Sequence, residues 1–365
     1  MAKGVAEDHL SPAVPRLSGD PPPCIGVGTT AQAWRMADCL PSPPARAPPM
    51  TDMPPLPNGF QIGHWTDAHA RTGCTVVLPP RGTRGGVDVR GGGTGTRELE
   101  VLSPLANAEG PTAVLLTGGS AFGLAAADGV ARWLEVCGLG QPTPAGVVPL
   151  VPAAVVFDLA EGESGTRPGP DEGYGACETA AAAVPERGRV GAGAGAAVGK
   201  LLGRDRATLG GVGYAATALA SGETIAAIAV ANAFGDVIAQ DGALLGAPHG
   251  DSGELLRSAE LIAQMPEPPY LSMRSANNTT LACVLTDAAL DKRGCAILAR
   301  IASAGIARAV NPAFTPVDGD VVFCLASGPE PPPAGLAASW ALTVLGTVAA
   351  TVTAAAIRDA VRQAA

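Results

Sequence analysis

Short apolar runs that stop at glycine-rich turns set the firmest limit on what this chain can fold into. Cys74–Leu78 and Ala113–Leu116 have strand length, and the second stops at Thr117-Gly118-Gly119-Ser120. Val87–Val89 leads into Gly91-Gly92-Gly93-Thr94-Gly95, and the apolar Leu99–Leu102 into Ser103-Pro104. Val147–Leu159 reads as a buried strand broken at Pro152, with Thr279–Thr286 and Val321–Ala326 as further strands. Thr208–Leu219 and Thr224–Ala231 flank Ser221-Gly222, as the arms of an antiparallel hairpin do. Helical spacing recurs in Ala121–Glu135, where Phe122, Ala125, Ala126, Gly129, Val130 and Trp133 share one face. Tyr174–Val184, Leu255–Gln264, Lys292–Gly305 and Leu336–Gln363 also read as helices. Hairpins mixed with helices predict an α+β protein with sheet layers covered by helices, not a simple parallel βαβ series.

Aromatic residues make up only 4% of the chain, so its core must be built from Ala, Val, Leu and Ile. The 48 glycines imply many turns and close backbone approaches. A length of 365 residues allows one large domain or two ordinary ones. The net charge of −9 leaves no basic surface for nucleic acid. The cysteines form no C-x-x-C pair, and no His stands near a pair. His64 and His69, five apart, share neither a helix nor a strand face. No metal and no cofactor are therefore expected. Scattered single cysteines fit small buried residues in a reducing compartment, so a cytoplasmic location is expected.

Residues 1–55 carry Pro21-Pro22-Pro23, Pro43-Pro44 and Pro48-Pro49, and a disordered leader without chemistry is expected there. Translation from Met50 or Met53 is an alternative reading of the same stretch. Residues 56–365 are expected to form the folded domain. Pro331–Ile357 has no charge and is long enough to cross a bilayer. Its residues are largely Ala, Thr, Gly and Ser, which fits a helix inside a large soluble protein, so no membrane is expected.

Several stretches invite a chemical reading. Gly191–Lys200 fails as a phosphate loop, because Ala194 and Leu201 occupy both defining ends, and Val198 breaks a dinucleotide pattern. The segment instead allows close packing and delivers Lys200 after ten uncharged residues. Burial there would push the lysine pKa down. Ser120 fails as a nucleophile elbow at Phe122 and reads as a helix N-cap. Asn277-Asn278-Thr279-Thr280 precedes an apolar strand, and the plain reading is a loop entering that strand. A sharper reading cuts the chain between Asn278 and Thr279. Thr279 then gains an α-amine of pKa ~7.7–8.0, a base for its own hydroxyl. Asp318 and Asp320 flank Gly319 and on an extended chain point to one side, where they could hold an ammonium; a plain turn is the alternative. Asn232 ends an apolar strand and can cap it or donate to an oxyanion.

Six collinear stretches carry a resemblance. They are Leu116–Gly129 with Arg132–Glu135, then Val151–Leu159, Val190–Lys200 and Ala231–Asp236. Asn278–Leu281 with Thr286–Ala288, and Thr315–Asp320, complete the set. Over residues 58–365 the sequence resembles the β-aminopeptidase/L-aminopeptidase-D-esterase family, which includes the 6-aminohexanoate-oligomer (nylon oligomer) hydrolases. The resemblance implies a four-layer αββα sandwich like that of N-terminal nucleophile hydrolases. It implies self-cleavage into an α chain ending at residue 278 and a β chain of 279–365. Thr279 would be the nucleophile, Lys200 would assist, Asn232 would line the oxyanion hole, and Asp318 and Asp320 would orient the new amine. Thr with paired Asp matches the nylon-hydrolase branch; the aminopeptidase branch has Ser and a Ser-x-Glu arrangement. That branch also has a Tyr near the position of Phe157, and the leader has no counterpart. The substrate would be a small amide or peptide, and the αβ units would form a homo-oligomer, a tetramer by family pattern. Two rival readings are an ornithine acetyltransferase-like acyl transferase and an inactive ligand-binding homologue. Asn278 stands where the acetyltransferase would have Ala.

Overall fold

The structure is a computed structural model that describes residues 53–163, 165–266, 278–329, 331 and 335–365. The expected leader up to residue 52, and Asn277, lie outside the described residues. The strands in chain order are β1 (Gln61–Asp67), β2 (Thr72–Leu78), β3 (Arg84–Val89), β4 (Thr96–Arg97), β5 (Val114–Thr117) and β6 (Gln141–Thr143). Then follow β7 (Gly146–Val148), β8 (Ala153–Val155), β9 (Ala197–Val198), β10 (Thr208–Leu209), β11 (Val212–Ala218) and β12 (Thr224–Asn232). The last are β13 (Asp236–Ile238), β14 (Leu244–Gly246), β15 (Thr279–Thr286), β16 (Val310–Asn311) and β17 (Val321–Ala326). The helices are α1 (Ala126–Val136), α2 (Pro170–Glu178), α3 (Ser258–Gln264), α4 (Lys292–Ala309) and α5 (Leu336–Ala364).

Two five-stranded sheets face each other. Their orders are β1-β2-β5-β8-β4 and β11-β12-β15-β17-β3. Strand alternation gives each sheet two apolar faces. In β15, Leu281, Cys283 and Leu285 join Val77, Leu116 and Val156 in the core between the sheets. Ala282 and Val284 face the other way, among residues of α4 and α5. β12 and β17 repeat the pattern. Ile228 and Phe323 point between the sheets, while Ala227 and Cys324 point toward the helices. On the outer face of the first sheet, Val76 and Leu115 pack with Val130 and Leu134 of α1 and Ala176 of α2. The layers run α1/α2, sheet, sheet, α4/α5, the expected αββα sandwich.

Small residues let these layers approach closely, which accounts for the scarce aromatics. A side chain on Gly213 of β11 would meet the backbone of Ala356 and Ala360 in α5, and one on Gly86 the backbone of α4. α5 is long and apolar enough to cross a membrane, but it packs on β11, β12 and α4. Its Asp359 anchors it, taking the Tyr214 backbone N–H at 3.0 Å and pairing with Arg187.

Several local expectations change. The helix expected over Ala121–Glu135 begins as a 3₁₀ turn, Ser120–Ala125, before α1. Ser120 is not an N-cap: Gly119 holds that position, and Ser120 itself lies at φ 52°. α2 lies earlier than Tyr174–Val184, starting where Pro170 takes the first helical position and Glu172 receives the Gly169 N–H. Leu99–Leu102 forms a 3₁₀ turn. The expected 208–219 arm divides into β10, paired with β9, and β11, paired with β12.

Candidate active site

Three strand ends converge. β12 runs antiparallel to β15, so its last residue Asn232 stands opposite Thr279, the first residue of β15. β15 runs parallel to β17, so the segment entering β17 lies beside the start of β15, with Asn278 bridged to Asp318. Lys200 arrives from outside this sheet. Its backbone N–H donates to Phe234 O at 3.0 Å, and that of Gly199 to Gly235 O at 2.9 Å. Gly199 has φ +67° and leaves no room for a Cβ against Ala247, so the lysine can be delivered only by glycine. The topology thus brings all the predicted site residues, Thr279, Lys200, Asn232, Asp318 and Asp320, to one place. Each is buried, at 0–4% exposure.

Lys200 Nζ donates to both Asn232 O and Asn232 Oδ1, each at 2.8 Å. The backbone N–H of Ala197 donates to the same Oδ1 at 3.1 Å. Two donors on Oδ1 fix the carboxamide orientation and turn its NH₂ toward Phe157 O, 3.5 Å away. Burial pulls the Lys200 pKa down to about 7, against the opposing pull of Asp318, Asp158 and Asp320. Near neutrality this amine can give or take a proton.

The two aspartates divide their work. Asp318 receives the Phe234 N–H at 3.1 Å and, on its other oxygen, the Thr315 hydroxyl at 2.5 Å. Asp320 receives the Thr280 N–H at 2.6 Å and the Phe314 N–H at 3.1 Å. Burial raises both pKa values, and beside Asp318 that of Asp320 reaches about 7. By their charge both carboxylates favour protonated Lys200. Their hydrogen bonds in the intact chain go to backbone N–H groups and the Thr315 hydroxyl.

Asp158 escaped the sequence reading. It is buried, takes the Thr72 hydroxyl and the Gly119 N–H at 2.7 Å each, and acts on Lys200 ahead of Asp320. A lone carboxylate ending the apolar run Val151–Phe157 was the signal available for it. Phe157, where the resemblance would have a Tyr, offers its backbone carbonyl instead, which also accepts from Arg204 at 3.0 Å.

One end of this four-layer sandwich thus gathers a buried hydroxyl, a buried lysine and paired carboxylates. Residues 50–365 match Peptidase family S58. An uncharacterized aminopeptidase of Mycobacterium bovis is 42% identical over 311 residues, covering 80% of this chain and 88% of that protein. A 6-aminohexanoate-oligomer endohydrolase of Paenarthrobacter ureafaciens is 28% identical over 327 residues, covering 88% and 84%. The β-aminopeptidase of a Burkholderia species superposes with a TM-score of 0.63 at 20% identity, over 85% of this chain and 88% of that one. The L-aminopeptidase D-Ala-esterase/amidase of Ochrobactrum anthropi, described as a variant of the Ntn hydrolase fold, gives 0.63 at 17%, over 85% and 87%. The chain belongs to Peptidase family S58, and it is a hydrolase of amide bonds of the aminopeptidase type.

Proposed function

We propose that this chain is a precursor that cuts itself between Asn278 and Thr279 and then hydrolyses amides with Thr279 as its terminal nucleophile. One observation carries the reading: the Thr279 hydroxyl lies 2.5 Å from the carbonyl oxygen of Asn278, within the site that holds Lys200 and both aspartates. A buried hydroxyl touching its own preceding carbonyl is placed for an N-to-O acyl shift. Thr279 Oγ bonds to the Asn278 carbonyl carbon, its proton passes to the Lys200 amine, and the C–N bond breaks as Thr279 N takes a proton. Water then hydrolyses the resulting ester, leaving an Asn278 carboxylate and a free Thr279.

Thr279 is only 4% exposed in the intact chain, which leaves an external amide no way to reach it. Scission frees residue 278 to move and opens the approach. In turnover the new α-amine accepts the hydroxyl proton, the Asn232 carboxamide steadies the oxyanion, and an acyl-enzyme forms and hydrolyses. The 42% identity to aminopeptidases, against 28% to endohydrolases, supports aminoacyl amides and short peptides ahead of 6-aminohexanoate oligomers as substrates. Leu336 and Trp340, 92% and 69% exposed on α5, support a homo-oligomer of αβ units. The described cysteines are all free, in keeping with a cytoplasmic protein.

The test is denaturing electrophoresis with N-terminal sequencing of purified protein. Two bands are expected, the smaller beginning at Thr279, and one uncut, inactive chain for Thr279→Ala. A cut and active Thr279→Ala ends the proposal. Aminoacyl-p-nitroanilides, aminohexanoate oligomers and acetyl transfer to ornithine, assayed together, separate the substrate classes.

A further inference from the structure

The scissile carbonyl has a second partner. The backbone N–H of Gly319, between the two aspartates, donates to Asn278 O at 2.8 Å. Resting on the self-cleavage reading above, we infer that this N–H is the oxyanion donor of the scission step, distinct from the Asn232 carboxamide proposed for turnover. When Thr279 Oγ bonds to the carbonyl carbon, the C=O electron pair moves onto Asn278 O. Gly319 N–H already points at that atom. The Asn232 carboxamide is engaged elsewhere in the intact chain, its oxygen by Lys200 and Ala197 and its NH₂ turned to Phe157 O.

Two further observations support the assignment. A Cβ on Gly319 would stand 2.8 Å from Thr279 Oγ1 and 2.8 Å from Gly93 O, so any side chain would strike the nucleophile. The glycine is required by this approach. Second, the Gly91-Gly92-Gly93 loop clamps the segment. Gly93 N–H donates to Asp318 O at 2.8 Å, Arg90 N–H to Asp320 O at 2.9 Å, and Gly92 N–H to Thr315 O at 3.4 Å. A side chain on Gly91 would collide with the backbone of Asp318 and Asp320. The donor is thus held by a preorganised backbone, as an oxyanion site requires.

The test replaces Gly319 with glycolic acid by suppression in cell-free translation, which keeps the shape and deletes the N–H. Scission of the full chain, followed by pulse-chase electrophoresis, should slow by ~10²–10³-fold. An unchanged rate in a folded chain overturns the inference. The second measurement leaves Gly319 intact: isotope-edited infrared of the Thr279→Ala chain with ¹³C at the Asn278 carbonyl. Its band should lie at the low frequency of a hydrogen-bonded amide. A band at the free-carbonyl position overturns the inference even if the glycolate chain does not fold. A wild-type chain that never cuts refutes the proposed function instead, and the infrared band still reports on the hydrogen bond.

Discussion

Lys200 offers the sharpest quantitative test of the site. An ordinary lysine of pKa 10.5 is neutral at pH 7 in only ~3 molecules per 10,000, whereas one lowered to about 7 is neutral in about half. Burial has therefore raised the supply of neutral amine by ~10³-fold. If that amine takes the Thr279 proton, scission should accelerate as pH rises through about 7 and then level off. Lys200→Arg keeps a charge that does not titrate. It should abolish this rise and slow scission by ~10²–10⁴-fold, the usual worth of a general base. The assay is pulse-chase electrophoresis of freshly translated chain across the neutral range. Asp320 ionises in the same window, so the observed midpoint belongs to the cluster. Asp320→Asn separates the two groups. It removes a charge that favours protonated Lys200, so the midpoint should move to lower pH. A rate that stays flat through neutrality, or a folded Lys200→Arg chain cutting at the wild-type rate, refutes the role of the lysine. A pH dependence that vanishes in Asp320→Asn transfers it to the aspartate.

Asp320 also shapes stability. Its pKa is raised on folding, so the stability it contributes is complete below its unfolded value of 3.8 and is lost as pH rises through about 7. Asp320→Asn should therefore raise the melting temperature at pH 8 and lose that advantage by pH 4 in calorimetry; a constant difference contradicts the assignment. Asn232→Ala should lower turnover by ~10²–10³-fold on an aminoacyl-p-nitroanilide, and full activity would rule out the carboxamide as oxyanion donor. Gly213→Ala would press a methyl into the α5 backbone at Ala356 and Ala360, costing ~1–3 kcal/mol. The melt should fall by several degrees, and an unchanged melt would contradict the close helix seat.

Short apolar runs made the sheets legible in the sequence. β15 and β17 lie where the unbroken apolar runs Leu281–Leu285 and Val321–Ala326 place them, because both faces of a sandwiched strand are apolar. Helix starts were less legible. Ser120 looks like a cap by composition, but the turn after β5 forces a left-handed backbone at Gly119 and Ser120, and the helix opens through a 3₁₀ turn. The α2 start is written in Gly169-Pro170-Asp171-Glu172, while the Ala-rich stretch after Glu178 suggests helix that the structure does not continue. At the site, residue types with few uses elsewhere were readable: Thr after Asn before a strand, Lys after an uncharged run, Asp-Gly-Asp. Asp158 and the Gly319 N–H were not, since one acts through distant packing and the other has no side chain. The hydrogen bonds of Asp318 to Phe234 and of Asp320 to Thr280 join residues far apart in the chain, whose proximity exists only once the sheet has formed.

The placement of β15 and β17 has a mechanical corollary. The chain after residue 278 supplies two neighbouring inner strands of one sheet and the paired helices that back it, with β16 added to a smaller sheet, while β3, β11 and β12 on either side come from before that point. A nick at this bond would yield two polypeptides woven through a shared interior, inseparable by dilution without melting the whole. Strong denaturant, not gel filtration, is what should part them.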